Sequence, residues 1–197
     1  MGKLDDLITE LCPDGVEYKT IEQVFFTISA PRKILRKDYQ NKGLYPIIDQ
    51  GQNFIVGYTD DETSVLELGT YVIFGEHTRI IKYVDFQFAQ GADGLKILIP
   101  ASKQFSAKYM YYAFSNLKIP SRGYNRHWTI AKDLCIPVPP LPIQDEIVRI
   151  LDRFTELETE LEAELEAELK LRKKQYEYYR NKLLSFKVKT SQKLEET

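Results

Sequence analysis

The apolar positions of this chain follow two rhythms, and the change between them divides it. Up to about residue 136 they come in short runs bounded by turn residues. From Ile143 onward they recur at steps of mainly three and four, with neither glycine nor proline to interrupt them. In the first part, Leu4, Leu7, Ile8 and Leu11 predict a helix over Leu4–Cys12, stopped at Pro13–Asp14–Gly15. Ile21–Ile28 fits a short helix or a strand. Tyr45–Asp49, Phe54–Tyr58, Tyr71–Phe74, Arg79–Val84 and Leu95–Ile99 are short and rich in Val, Ile, Tyr and Phe, which predicts strands. Ala107–Leu117 predicts a helix with a Tyr/Phe face. The expected fold class is α+β: one domain with a mixed or antiparallel sheet, then a long C-terminal coiled-coil helix.

The boundary is Ile136–Pro142, whose four prolines fix φ and remove backbone donors, so it is expected to be extended and not helical. The division expected is a domain over 1–142, a spacer helix over 143–186 and a tail over 187–197. A helix from 143 to 186 would extend about 65 Å at 1.5 Å per residue, longer than one small domain covers. Its apolar stripe runs through Ile147, Ile150, Phe154, Leu157, Leu161, Leu165, Leu169, Tyr176, Tyr179 and Leu183. Glutamate holds every even position from 156 to 168, and Lys170, Arg172, Lys173, Lys174, Arg180 and Lys182 follow. A parallel homodimer would set glutamates against glutamates. An antiparallel pair crossing near Leu165–Leu169 sets each acidic half beside a basic half. The steps of four at 157–161–165–169 locally unwind the supercoil. The alternative is a solvated helix lying along its own domain.

Composition changes little in this picture: 43% apolar and 12% aromatic residues suit an ordinary folded chain. The net charge of −2 does matter, because nucleic-acid binders are usually basic; any such binding must come from local patches. Cys12 and Cys135 are the only cysteines, without paired CxxC spacing, which argues against a disulfide framework or zinc site. The start lacks a basic, apolar leader, and no run reaches the roughly 20 apolar residues of a membrane span. A soluble cytoplasmic protein is expected.

No phosphate loop, dinucleotide fingerprint, G-x-S-x-G or H-E-x-x-H motif occurs. His77 and His127 lie fifty residues apart, and with Cys135 they lack the spacing of a metal or hydrolytic site. What remains are polar clusters at loop positions. Ser121–Thr129 holds Arg122, Tyr124, Asn125, Arg126, His127 and the only tryptophan. Arginine reads guanine, and asparagine adenine, with a two-pronged fork; the same loop also fits one pinned by Trp128 with solvating arginines. Gly75–Arg79 offers His77, Thr78 and Arg79, and Asp49–Asn53 offers Gln50, Gln52 and Asn53. Arg32, Lys33, Arg36 and Lys37, with Lys42, are basic without reading geometry and suit phosphate contacts or a solvated surface.

The order LCPDGVEYKTI, YPIIDQGQ, GEHTRIIKY and FAQGADGLKIL, then IPVPPLPIQDEIVRIL and a helix ending KKQYEYYRNKLLSF, resembles the DNA-specificity subunit of type I restriction–modification systems. The resemblance spans about residues 1–186. Full-length members carry two target-recognition domains and two long helices; this chain has one of each and looks like a half subunit. The resemblance implies a non-catalytic reader of double-stranded DNA. Its partners would be a second copy or another half subunit, modification subunits that methylate adenine, and restriction subunits. S-adenosylmethionine, ATP and Mg would belong to those partners, with no cofactor or metal in this chain. No base-reading residue carries over from the family. Two other readings stay open: the specificity partner of a fused restriction–methyltransferase, and a helix-mediated scaffold that does not read DNA.

Overall fold

The computed structural model describes residues 2–91, 94–121, 123 and 125–186. In chain order, helix α1 (Lys3–Leu11) is followed by strand β1 (Glu17–Thr20), helix α2 (Ile21–Val24) and strand β2 (Phe25–Ile28). Next come β3 (Tyr45–Ile48), β4 (Gly57–Thr59), β5 (Val65–Leu66), β6 (Tyr71–Gly75), β7 (Ile81–Val84), β8 (Phe88–Gln90) and β9 (Leu95–Pro100). Helices α3 (Ala107–Ser115) and α4 (Trp128–Ala131), strand β10 (Cys135–Val138) and helix α5 (Leu141–Leu184) complete it. The chain divides into two compact units, with the boundary inside α5 between Ile150 and Leu151.

The first unit is α+β with three sheets. One is antiparallel in the order β2-β9-β6-β7; a second, β4-β3-β8-β5, is mixed because β3 and β8 run parallel; the third pairs β1 with β10. Strand β6 is buried along its whole length because it is covered on both faces. Alternation sends Val72 and Phe74 to a cluster with α2, α3 and α4, where Phe74 stacks on Phe114 with centroids 5.4 Å apart. Tyr71 and Ile73 point the other way, to a cluster with Ile48, Val84, Phe88 and Ile97.

Where the elements differ from the expectation, local chemistry explains it. Ile21–Ile28 is both alternatives in turn. Thr20 caps α2 through the N–H of Gln23 at 3.3 Å, and the Gln23 side chain accepts the N–H of Thr20 at 2.8 Å, a reciprocal cap that forces one helical turn. Arg79–Val84 is strand only from Ile81, because Arg79 has φ 63° and turns the chain. Of Phe54–Tyr58 only the end is strand; the Phe54 ring sits edge-on to Phe86 at 6.0 Å instead. Strands β1, β5, β8 and β10 were not expected as strands: β5 and β8, at two and three residues, carry too little alternation to read, and β10 falls largely in the segment expected only to be extended.

The proline boundary is also corrected. Leu141 and Pro142 already belong to α5, since a proline in the first turn loses no intrahelical bond. The helix then packs its first turns on the first unit through Ile143, Gln144 and Glu146, all buried. Gln144 ties three chain segments: its Oε1 accepts from Ser106 N at 2.9 Å, and its Nε2 donates to Gln104 O at 2.9 Å and Pro139 O at 2.7 Å. Glu146, 3% exposed, accepts from Arg149 at 2.6 Å and from Lys3 at 2.7 Å. The Arg149 hydrogen bond, then that of Lys3, holds its carboxyl far below the usual value, at about 2.

That depressed value fixes a sign. Because Glu146 is more acidic folded than unfolded, its contribution is complete above the ordinary glutamate value and is lost as pH falls toward about 2. Replacing Arg149 with alanine is expected to raise the Glu146 value and shift the acid-unfolding midpoint upward. Carboxyl NMR titration together with an acid melt checks both, and an unchanged Glu146 titration would contradict the ion pair.

In the second unit α5 continues from Leu151, with ion pairs Arg153–Glu156 and Arg172–Glu168, each 3.2 Å. The expected seam positions Phe154, Leu157, Leu161, Leu165, Leu169, Tyr176, Tyr179 and Leu183 are all exposed in this chain. Ile147, expected in that seam, packs in part on the core of the first unit instead, and Ile150 is half-buried. Among the described residues no helix is long and apolar enough to cross a membrane.

Candidate nucleic-acid interface

Three of the four polar clusters are joined by hydrogen bonds around the turn that links β6 to β7. The turn closes on itself: Gly75 N donates to Ile80 O at 2.9 Å and Arg79 N to Gly75 O at 2.8 Å. Gln50, from the loop after β3, grips it from one side. Its Oε1 accepts from His77 N at 3.1 Å, and its carbonyl accepts from the Thr78 hydroxyl at 2.6 Å. From the other side, His127 N donates to Glu76 O at 2.8 Å, and His127 Nδ1 lies 2.9 Å from the same oxygen. Facing a carbonyl, that ring nitrogen must carry the proton. Gly94 completes the frame: its carbonyl accepts from Glu76 N at 2.7 Å. Its φ of +88° is a conformation that residues with a Cβ rarely adopt, and a Cβ there would crowd the Gln50 amide nitrogen at 2.5 Å, which favours glycine.

Several residues expected at base edges therefore serve this frame. His127 is 1% exposed and cannot reach a groove, which corrects its place among the DNA contacts. Gln50 and Thr78 spend hydrogen-bonding groups on the turn, and the Arg79 guanidinium donates to Ile119 O at 2.8 Å while its side chain stays exposed at the surface. His77 is half-buried. Trp128 does pin its loop, packing on Phe74 at 5.7 Å between centroids, while Asn125 and Arg126 just before it remain exposed. Gln52 and Asn53 are exposed on the loop after β3. Arg122 and Tyr124 lie outside the described residues.

Lys82 was not singled out from the sequence. It is buried and donates to Asp49 O at 2.8 Å and Asn53 O at 2.7 Å, fixing the loop that carries Gln52. Burial pushes its ammonium below the ordinary lysine value, against the opposing pull of Asp49. The signal was present in the sequence: in Ile81–Val84, Lys82 falls in phase with the core residue Val84. A second missed residue, Lys118, lines an open cleft of about 440 Å³ with Arg79 and Ser115.

The fourth cluster lies elsewhere. Lys33 bridges to Gln90 of β8, and Arg36 and Lys37 sit exposed in a single 3-10 turn. Arg32 pairs with Asp61 at 3.2 Å, and Asp38 and Asp60 share its cleft, so the patch is of mixed charge. That dilutes the positive potential that phosphate contacts need. Among the described residues no group of three or more His, Cys, Asp or Glu side chains is placed to hold a metal ion.

Comparison with known proteins gives a consistent result. Residues 13–171 match the family model for the type I restriction modification DNA specificity domain. The chain is 37% identical to the EcoR124I/EcoR124II type I restriction enzyme specificity subunit of Escherichia coli, over 88% of this chain and 46% of that one. It is 69% identical over 51 residues to the EcoprrI specificity subunit of the same organism, covering 26% of this chain and 13% of that subunit. Its fold is similar to the crystal structure of a type I restriction–modification S subunit from M. genitalium, with TM-score 0.60 and 19% identity over 82% of this chain and 45% of that one. The chain spans about half the length of the first of these curated relatives.

Proposed function

Because this chain belongs to the type I restriction–modification DNA specificity family, we propose that it is a non-catalytic reader of one half of a bipartite DNA site. Two copies, or this chain and a different half subunit, pair through antiparallel α5 helices and together dock the modification subunits that methylate adenine. Those subunits, with any restriction subunits, supply S-adenosylmethionine, ATP and Mg chemistry, and the complex works in the cytoplasm. The observation that carries this reading is the 44-residue helix α5, whose apolar stripe from Phe154 to Leu183 is exposed in the single chain.

The helix sequence supports a specific register. With the Leu165 side chains of two copies opposed, Leu161 faces Leu169, Phe154 faces Tyr176 and Leu151 faces Tyr179. Glu156, Glu158 and Glu160 then face Lys174, Arg172 and Lys170. The apolar layers supply association, and the charges select the antiparallel orientation. For two copies, two-fold symmetry makes the site palindromic, with the helix setting the gap between its halves; a different half subunit makes it asymmetric.

Asn125, Arg126, Gln52 and Asn53 are the candidate base readers, on loops held by Trp128 and Lys82, and Lys118 and Arg79 are candidate phosphate contacts. Asn125→Ala with Arg126→Ala is expected to leave the fold intact and reduce discrimination by about 1–3 kcal/mol for each lost bidentate contact. Competition binding between cognate and random duplexes measures it. Unchanged discrimination in the doubly substituted chain would remove this loop from the reader.

A further inference from the structure

Helix α1 has no buried residue, although its apolar side chains lie on one face. Ile8 is 43% and Leu11 38% exposed, and Leu4 and Leu7 are only half-covered. A nine-residue helix held this loosely needs a cover, since so short a helix is marginal in water on its own. Its attachment to the rest of the first unit includes the Lys3–Glu146 pair, which places its N-terminal turn beside the first turns of α5.

The far end of α5 has a matching excess. Tyr176, Tyr179 and Leu183 continue the seam, but Leu184 and Tyr178 lie off it and are also exposed, at 67% and 59%. A single antiparallel partner helix covers one stripe and leaves these outside. The same end is basic, with Arg172, Lys173, Lys174, Arg180 and Lys182, whereas α1 carries Asp5, Asp6 and Glu10. In the register above, Leu183 of one copy falls beside Ile147 of the other and Leu184 beside Glu146, the residue that holds α1.

We propose that α1 is the docking site for the C-terminal end of the second copy's α5, so that each copy's first helix caps the other copy's long helix. The inference rests on the antiparallel dimer proposed above. Charge complementarity between acidic α1 and the basic helix end, and the convergence of both on Glu146, select a second copy of this chain as the occupant.

The test is cross-linking in the full chain with Cys12→Ala and Cys135→Ser, which removes both native thiols. Two differently tagged copies, one with Ile8→Cys and one with Leu184→Cys, are co-expressed and treated with a short bismaleimide. A covalent product carrying both tags is expected, with little product from either substitution alone. Leu165→Cys in both copies reports the dimer independently. If Leu165→Cys cross-links and the Ile8–Leu184 combination does not, the dimer stands and the docking site is overturned. If neither cross-links, the antiparallel dimer fails and the docking site with it. As a second arm, Ile8→Glu with Leu11→Glu, both at exposed positions, is expected to weaken the dimer about tenfold or more. A double variant that dimerises normally but no longer retains the modification subunit would assign α1 to that subunit and overturn the proposal.

Discussion

Gln144→Leu is expected to lower the melting temperature of the chain by roughly 6–12 °C. The leucine fills similar volume, so the loss is not one of packing. Gln144 is fully buried and serves one donor, Ser106 N, and two acceptors, Gln104 O and Pro139 O. Leaving a buried backbone group without its partner costs about 1–3 kcal/mol, and two of the three are only partly buried, so a total of about 3 kcal/mol is expected. For a unit of this size that corresponds to the stated shift. Gln144→Glu should be at least as damaging, because a carboxylate cannot donate to either carbonyl. Thermal unfolding of the two variants checks this; wild-type melting of either would mean that the amide does not tie Ser106, the N-cap of α3, to the start of α5.

Leu161→Lys with Leu165→Lys is expected to convert the proposed dimer to a monomer and abolish any methylation that depends on the paired reader, while the first unit unfolds at its normal temperature. Both positions are 56% exposed in the single chain, so the substitutions add no strain within it. In the proposed dimer they would place four ammonium groups in the central layers, where Leu165 is set against its own counterpart and Leu161 against Leu169. Removing two leucines per chain from a fully covered seam forfeits about 1.5–3 kcal/mol for each, before the cost of desolvating the charges. Light scattering across a concentration series reads the outcome. An intact dimer would show that α5 pairs elsewhere or not at all.

The long helix was legible in the sequence because it rests on long-range periodicity. The unit boundary inside it, between Ile150 and Leu151, was not, and the tail expected over 187–197 lies outside the described residues. A stripe that persists from Phe154 to Leu183 without glycine or proline reads as one helix from residue types alone. The strands around Tyr45, Tyr71 and Leu95 were visible for the same reason, their β-branched and aromatic content being bounded by turns. The two- and three-residue strands β5 and β8 were not, because their identity is fixed by sheet neighbours rather than by their own pattern.

The sequence marked loops at Asp49–Asn53, Gly75–Arg79 and Ser121–Thr129 by their polar content, and the hydrogen bonds of Gln50 and His127 join the three. It misjudged what some of their residues do, because polar type alone does not distinguish a side chain that reads a ligand from one that holds a turn. His127 and Gln50 do the second. Lys82 was not singled out because strand alternation, not its residue type, turns it inward.

The most direct test of the central claim is methylation mapping. The chain is co-expressed with its modification subunit in a host free of adenine methylation, and modified adenines are then located by sequencing. A two-part palindromic motif with a constant gap is expected, as is its loss with Leu161→Lys and Leu165→Lys. A stable complex of the two proteins that leaves the DNA unmethylated, or methylates it without a two-part motif, would contradict that claim.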